Sequence, residues 1–171
     1  SHAAASGDLN LLQRLITAKS SLDPVSIQGA TPLMSALRHN QMETFHKLLD
    51  SKAQTDAVDT NGNTALMQAA LMGQNNPVRW LMDAKATIEA RNKDGLAAID
   101  IALNKGFDDV VQTLALAYDR HGDPAICAAV KSSDTDRVQR LVTAKVSLDV
   151  VNKSGQTALM LAILNGDIDI T

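Results

Sequence analysis

Apolar and polar positions along this chain recur with a period of 33 residues. One set of apolar stripes reads Leu12/Leu15/Ile16, Phe45/Leu48/Leu49, Val78/Leu81/Met82, Val111/Leu114/Ala115 and Val138/Leu141/Val142. That three-then-one spacing places the apolar side chains on one face of an α-helix. Ahead of the stripes runs a second segment, Thr31-Pro32-Leu33-Met34, repeated as Thr64-Ala65-Leu66-Met67 and Thr157-Ala158-Leu159-Met160. Ala97-Ala98-Ile99-Asp100 and Pro124-Ala125-Ile126-Cys127 are weaker copies. Behind each copy an alanine falls in register: Ala36, Ala69, Ala102, Ala129 and Ala162. A side chain that small lets neighbouring helices approach closely. Gly7, Asn40, Gly73 and Gly106 mark the same period, as do Ser133 and Gly166.

Each repeat therefore predicts two short helices. Thr31 or Thr64 caps the first, and Pro32 fits a first turn where its missing N–H is no loss. The glycine behind it ends the helix in a left-handed conformation. A polar connector holding Gly29, Gly62, Gly95 or Gly155 turns the chain into the next repeat. No repeat can bury its apolar face alone, so neighbours must stack.

The run Asp59-Thr60-Asn61-Gly62-Asn63-Thr64-Ala65-Leu66-Met67-Gln68-Ala69-Ala70-Leu71-Met72-Gly73 resembles the ankyrin-repeat family. The resemblance covers nearly the whole chain. It implies an all-α ankyrin-repeat solenoid of stacked helix-turn-helix units with short connector hairpins. Residues 1–171 would form one domain of about five to six repeats: 2–25, 26–58, 59–91, 92–120, 121–151 and 152–171, the first and last incomplete. The absence of an initiator Met before Ser1-His2 fits an excerpt from a longer protein. The family is an interaction scaffold without catalytic residues of its own. Its binding surface is the connector tips and the concave face of the first helices.

Three departures from the family pattern carry expectations. The histidine of the family's TPLH start is Met34, Met67, Asp100, Cys127 or Met160, so apolar packing should replace its polar contacts in three repeats of five. The glycine after the second helix is Lys19, Lys52, Lys85 or Lys145. A lysine at positive φ costs roughly 1–2 kcal/mol, so either the turn differs or the strain is tolerated. Only six residues lead from Tyr118 to Pro124, where twelve lead from Lys85 to Ala97. That shortened link, 119–123, should bend or offset the stack.

Composition narrows the function. Hydrophobic residues make up 45% of the chain and charged residues 20%, ordinary for a globular protein. Aromatic content of 2% leaves the core to Leu, Ile, Val, Met and Ala. A net charge of −3 gives no reason to expect nucleic acid or an anionic membrane. The single Cys127 allows no internal disulfide, which favours a reducing, cytoplasmic setting. No apolar run approaches a membrane span.

Candidate chemistry is sparse. Cys127 with His121 and Asp123 nearby would suit a nucleophile and base. It occupies the slot of Met34, Met67 and Met160, however, which predicts a packed thiol, while Asp123-Pro124 reads as a helix cap followed by a first-turn proline. His2, His39 and His46 lack metal-ligand spacing, and no phosphate loop or hydrolase motif occurs, so neither enzyme nor cofactor is expected. Each repeat-end lysine is followed four residues later by an acid (Asp23, Asp56, Glu89, Asp149), which neutralises a basic stripe. The useful signal is apolar. Leu71-Met72 stands where other repeats have Arg38-His39, Asn104-Lys105, Lys131-Ser132 and Leu164-Asn165, positions that are concave in the family. Leu96 replaces Ala30, Asn63 or Gln156 in its connector. Leu71, Met72 and Leu96 are expected to centre an interface, with Arg38, His39, Lys93, Asn104 and Lys105 around them. Trp80 belongs on the opposite side, as a second contact or as cover for a neighbouring helix. The expected activity is protein binding by a monomer. An alternative is a substrate-recruiting region of a larger enzyme or of a secreted bacterial effector acting in a host cytosol.

Overall fold

The computed structural model describes residues 4, 6, 7, 29–117 and 122–166. Its contacts fall into two compact halves, Ser1–Ala98 and Ile99–Thr171. Nine helices lie wholly among the described residues, with an isolated bridge between Val151 and Thr157.

In the N-terminal half, α1 (Pro32–Arg38) pairs with α2 (Met42–Asp50), and α3 (Ala65–Leu71) with α4 (Asn75–Asp83). The first helices pack on each other, α1 on α3, and so do the second helices, α2 on α4. Thr31 and Thr64 are the N-caps, each accepting a 3.3 Å hydrogen bond from the amide of Met34 or Met67. Buried beneath them lie Leu33, Met34, Leu66, Met67 and the alanines Ala36, Ala69 and Ala70. Phe45, Leu48, Val78 and Leu81 bury the stripe of the second helices. Trp80 lies 6.2 Å from Phe45 and stands edge-on to His46 at 5.1 Å, so it covers α2.

Both helices of a repeat end in the same way. At the end of α4 the Lys85 amide donates to Met82 O and the Ala86 amide to Leu81 O, with Lys85 at φ 65°. Lys52 and Lys145 repeat the arrangement at φ 63° and 56°. The turn is thus kept and the strain accepted, because the residue that follows, Ala53, Ala86 or Val146, is buried. Lys19 lies outside the described residues. The first helices end likewise, and the 6→1 bond runs to the recurring alanine: Gln41 N to Ala36 O, Gln74 N to Ala69 O, Phe107 N to Ala102 O, Asp134 N to Ala129 O.

The connectors are built on an Asx side chain, buried at Asp59 and Asn152 and half-buried at Asn92. Asp59 Oδ1 accepts from the amides of Asn61 and Asn63, as Asn92 and Asn152 do in their own connectors. Neighbouring connectors are tied by Lys93 N to Asn61 O at 3.1 Å and by Asn92 Nδ2 to Asn63 Oδ1 at 2.9 Å. A Cβ at Gly62, φ 79°, would sit 3.0 Å from Lys93 N, so glycine is required there by space as well as by conformation.

In the C-terminal half, α5 (Ala98–Lys105) is followed by α6 (Asp108–Ala115). After them come α7 (Ala125–Lys131), α8 (Thr135–Thr143) and α9 (Ala158–Asn165), with α7 packed on both α8 and α9. The packing pattern changes where the short link precedes α7; residues 118–121 of that link lie outside the described residues. Here a first helix, α7, meets the second helix of the preceding repeat, α6. Arg140, at the register position of Trp80, bonds to the preceding first helix instead of the second, through Asn104 Oδ1 at 2.6 Å and Asp100 O at 3.4 Å. Arg137 adds a 3.2 Å ion pair to Asp100. These contacts differ from those that Trp80 makes in the N-terminal half.

Two expectations are corrected. Met160 is not packed like Met34 and Met67 but exposed, so apolar packing replaces the histidine in two of those three repeats only. Asp123 does not cap α7, whose N-cap is Pro124 without a side-chain bond. Its buried carboxylate instead holds Lys131 Nζ at 2.7 and 2.8 Å.

Candidate binding surface

Leu71 ends α3 and Met72 is its C-cap, and they are 45% and 38% exposed. The rest of α3, from Ala65 to Ala70, is buried. Among the described residues of the N-terminal half, the exposed large apolar side chains are Val58, Leu71 and Met72. Leu71 and Met72 are therefore an isolated pair at one end of a buried helix.

Arg38 closes α1. Its Nε donates to Gln68 Oε1 at 3.3 Å, and its Nη2 lies 3.6 Å from Asp59 Oδ2. Gln68 Nε2 donates to the same Oδ2 at 3.0 Å. Burial opposes ionisation of Asp59, but the amides of Asn63 and Asn61 and the Gln68 side chain outweigh it and hold the carboxyl below its ordinary value. Arg38 thus ties α1 to α3 and to the connector at Asp59. His39 is exposed, its Nδ1–H donating to Ser35 O at 2.8 Å.

Leu96 departs from expectation. It is half-buried, its amide bonded to Asn92 Oδ1, and it belongs to the connector layer that meets the 59–63 connector. That layer lies at the N-terminal end of α3, whereas Leu71 and Met72 lie at its C-terminal end, about 10 Å away for seven residues. Lys93 is exposed in the same layer. Leu96 and Lys93 thus lie at one end of α3 and Leu71 and Met72 at the other, and they do not form one continuous apolar patch.

In the C-terminal half, Asn104 and Lys105 are exposed at the end of α5, with Asn104 engaged by Arg140. The larger apolar surface of this half was not foreseen. On α9, Leu159, Met160, Ile163 and Leu164 are 52–69% exposed. Beside them a cavity of about 390 Å³ is lined by Ile126, Val130, Val138, Val142 and Leu148, with Asp149 as its acid. The signal was present in Leu164, which shares the register of Leu71.

Cys127 is fully buried. Burial, followed by the negative charge of Asp123, raises the thiol pKa against the opposing charge of Lys131. The thiol is packed and protonated, the reverse of an activated nucleophile. No cluster of metal-ligating side chains occurs among the described residues, and no helix among them is long and apolar enough to cross a membrane.

The chain is similar to the ankyrin repeat domain of Bcl-3, described as a unique member of the IkappaB protein family. Identity is 27% over 98% of this chain and 80% of that one, with a TM-score of 0.64. It is also similar to an ankyrin repeat domain from Acinetobacter baumannii AYE, at 26% identity over 99% and 92% of the two chains, with a TM-score of 0.65. None of the curated proteins matches. Ankyrin repeats generally serve as protein-interaction modules and are typically non-catalytic. The sequence profile described as ankyrin repeats matches in three copies, over residues 1–94, 51–121 and 96–171. With capped helix pairs and Asx-anchored connectors repeating along it, this all-α chain belongs to the ankyrin-repeat family.

Proposed function

We propose that the chain recognises another protein through the face of its first helices, with Leu71 and Met72 as the apolar centre. The observation that carries this reading is their exposure side by side at the end of an otherwise buried α3. Full burial of such side chains is worth roughly 1.5–3 kcal/mol each, and interface energy concentrates in a few residues of this kind. Methionine also adapts to irregular surfaces. Arg38 and His39 border the pair, and Leu96 and Lys93 supply contacts at the connector end of α3. Asn104 and Lys105 are proposed as partner contacts of the C-terminal half by itself. The chain works as a single copy in a reducing cytosol, where the lone Cys127 stays a thiol.

The test uses a partner recovered with the intact chain. Replacing Leu71 with Ser and Met72 with Gln should leave the melting temperature nearly unchanged and weaken binding about tenfold or more. A double variant that unfolds, or that binds as before, rules this surface out.

A further inference from the structure

The apolar face of α9 and the cavity beside it have register counterparts in the N-terminal half. Ile126 and Val130 of α7 correspond to Leu33 and Leu37, Val138 of α8 to Phe45, and Leu159 of α9 to Leu66. Leu33, Leu37, Phe45 and Leu66 are at most 1% exposed. There α4 packs on both α2 and α3, and its Val78 and Leu81 are fully buried. In the C-terminal half the same register positions line a cavity of about 390 Å³. Leu159, Met160, Ile163 and Leu164 beside it are 52–69% exposed and share one face of the helix. No charged residue occurs from Thr157 to Gly166, so this face is neutral as well as apolar.

A polar contact marks the same place in both halves. The Asp56 carboxylate accepts from the Thr87 amide at 2.8 Å and from the Thr87 hydroxyl at 2.7 Å. Thr87 stands two residues past Lys85, whose positive φ closes α4. That carboxylate therefore receives the C-terminal end of the helix seated on α2 and α3. Asp149 holds the register of Asp56, borders the cavity and is exposed, without such a pair among the described residues. Apolar floor, apolar face and acceptor thus repeat, in register, the set that α4 meets.

We propose that the α9 face is a second docking surface, and that it takes an amphipathic helix of a partner protein. The helix turns apolar residues at i, i+3 and i+4 to the cavity and α9, the spacing of Val78, Leu81 and Met82 on α4. Two residues past its C-terminal turn, a Ser or Thr donates its amide and hydroxyl to Asp149. This surface is independent of Leu71 and Met72, and each stands or falls without the other.

A synthetic helix tests the proposal: a fluorescein-labelled copy of residues 74–87 carrying Arg79→Lys, with a lactam from that side chain to Asp83. Both positions are exposed on α4 and lie four residues apart, so the bridge closes on the solvent side. Without it a helix this short is marginal in water. Binding to the intact 171-residue chain is read by fluorescence anisotropy, with melting temperatures recorded for each variant. Saturable binding is expected, falling about tenfold or more with L159S/I163Q and unchanged with L71S/M72Q. D149A should weaken it about two- to fivefold, as should Thr87→Val in the peptide, and the two losses should not add. D149A keeps the test open should L159S/I163Q lower the melting temperature. No saturable binding, or binding indifferent to L159S/I163Q, overturns the proposal. Binding lost with L159S/I163Q but indifferent to D149A overturns the seating at Asp149, and with it this helix as the occupant. A concentration-dependent dimer in sedimentation equilibrium, dispersed by L159S/I163Q, makes a second copy the occupant instead. Tighter peptide binding after removal of residues 167–171 assigns the face to that segment and likewise overturns the partner helix.

Discussion

Two first helices begin with the same four residues and end in different surroundings. Thr64-Ala65-Leu66-Met67 opens α3, and Thr157-Ala158-Leu159-Met160 opens α9. Their starts are identical in detail, with each threonine hydroxyl accepting from the methionine amide at 3.3 Å. Yet Leu66 and Met67 are each 1% exposed, whereas Leu159 and Met160 are more than half exposed. α3 packs on α1 and α4, while the packing of α9 is with α7. The cap is a local bargain between a hydroxyl and an amide three residues on, so four residues settle it. Burial depends on which helix lies alongside, and the motif does not encode that.

The comparison can be broken most directly by truncation. Leu66→Ala should destabilise the N-terminal half by about 2–5 kcal/mol, because a packed side chain leaves a cavity. Leu159→Ala, at an already exposed position, should change stability by no more than about 0.5 kcal/mol. Chemical denaturation followed by circular dichroism reads both. Equal losses would mean that the two helices are buried alike and that the contrast is false.

A smaller effect separates the connectors. Asp59 and Asn152 hold equivalent Asx positions, both buried, but Asp59 Oδ2 also faces Gln68 and Arg38. Asp59→Asn would turn an amide towards these donors and should cost about 1–3 kcal/mol near neutral pH. The pH dependence has a definite sign. The Asp59 carboxyl is held below its ordinary value in the folded state. Its contribution is therefore complete above the unfolded pKa of about 4 and is lost as pH falls through the lower folded value. Acid titration of the wild-type chain should show that loss below about pH 4, and D59N should show a shallower one. Parallel acid profiles would remove Asp59 from the account.

The smallest effect should be shared by both halves. Lys85 and Lys145 sit at φ 65° and 56° at the ends of α4 and α8. Glycine there relieves roughly 1–2 kcal/mol of backbone strain. It loses about 0.5–1 kcal/mol of that to its greater freedom in the unfolded chain. Each substitution should therefore stabilise by about 0.5–1 kcal/mol, read as a rise in melting temperature. A fall at either position would show that the lysine side chain contributes more than its backbone conformation takes away.

Much of the molecule was legible in its residues. The period, the threonine caps, the positive-φ helix ends and the connector turns follow from interactions spanning three to six residues, which sequence spacing reports directly. The exposure of Leu71 and Met72 was legible because their register partners, Arg38 and His39, are polar. Leu96 misled, since a connector position gives no measure of how closely the neighbouring connector covers it. Asp100 at the histidine slot announced a different contact, but its partner Arg137 lies 37 residues further on, and spacing alone does not pair them.

The sequence by itself determined the helix pairs, their ends and their repetition, because each rests on hydrogen bonds and periodicities internal to one repeat. Only the tertiary structure decided that Arg38 ties α1 to α3, that Trp80 covers α2 and that Arg140 reaches α5. It also decided that α9 leaves four large apolar side chains in water. Those outcomes depend on which surfaces meet across repeats, and no local signal within one repeat reports that meeting.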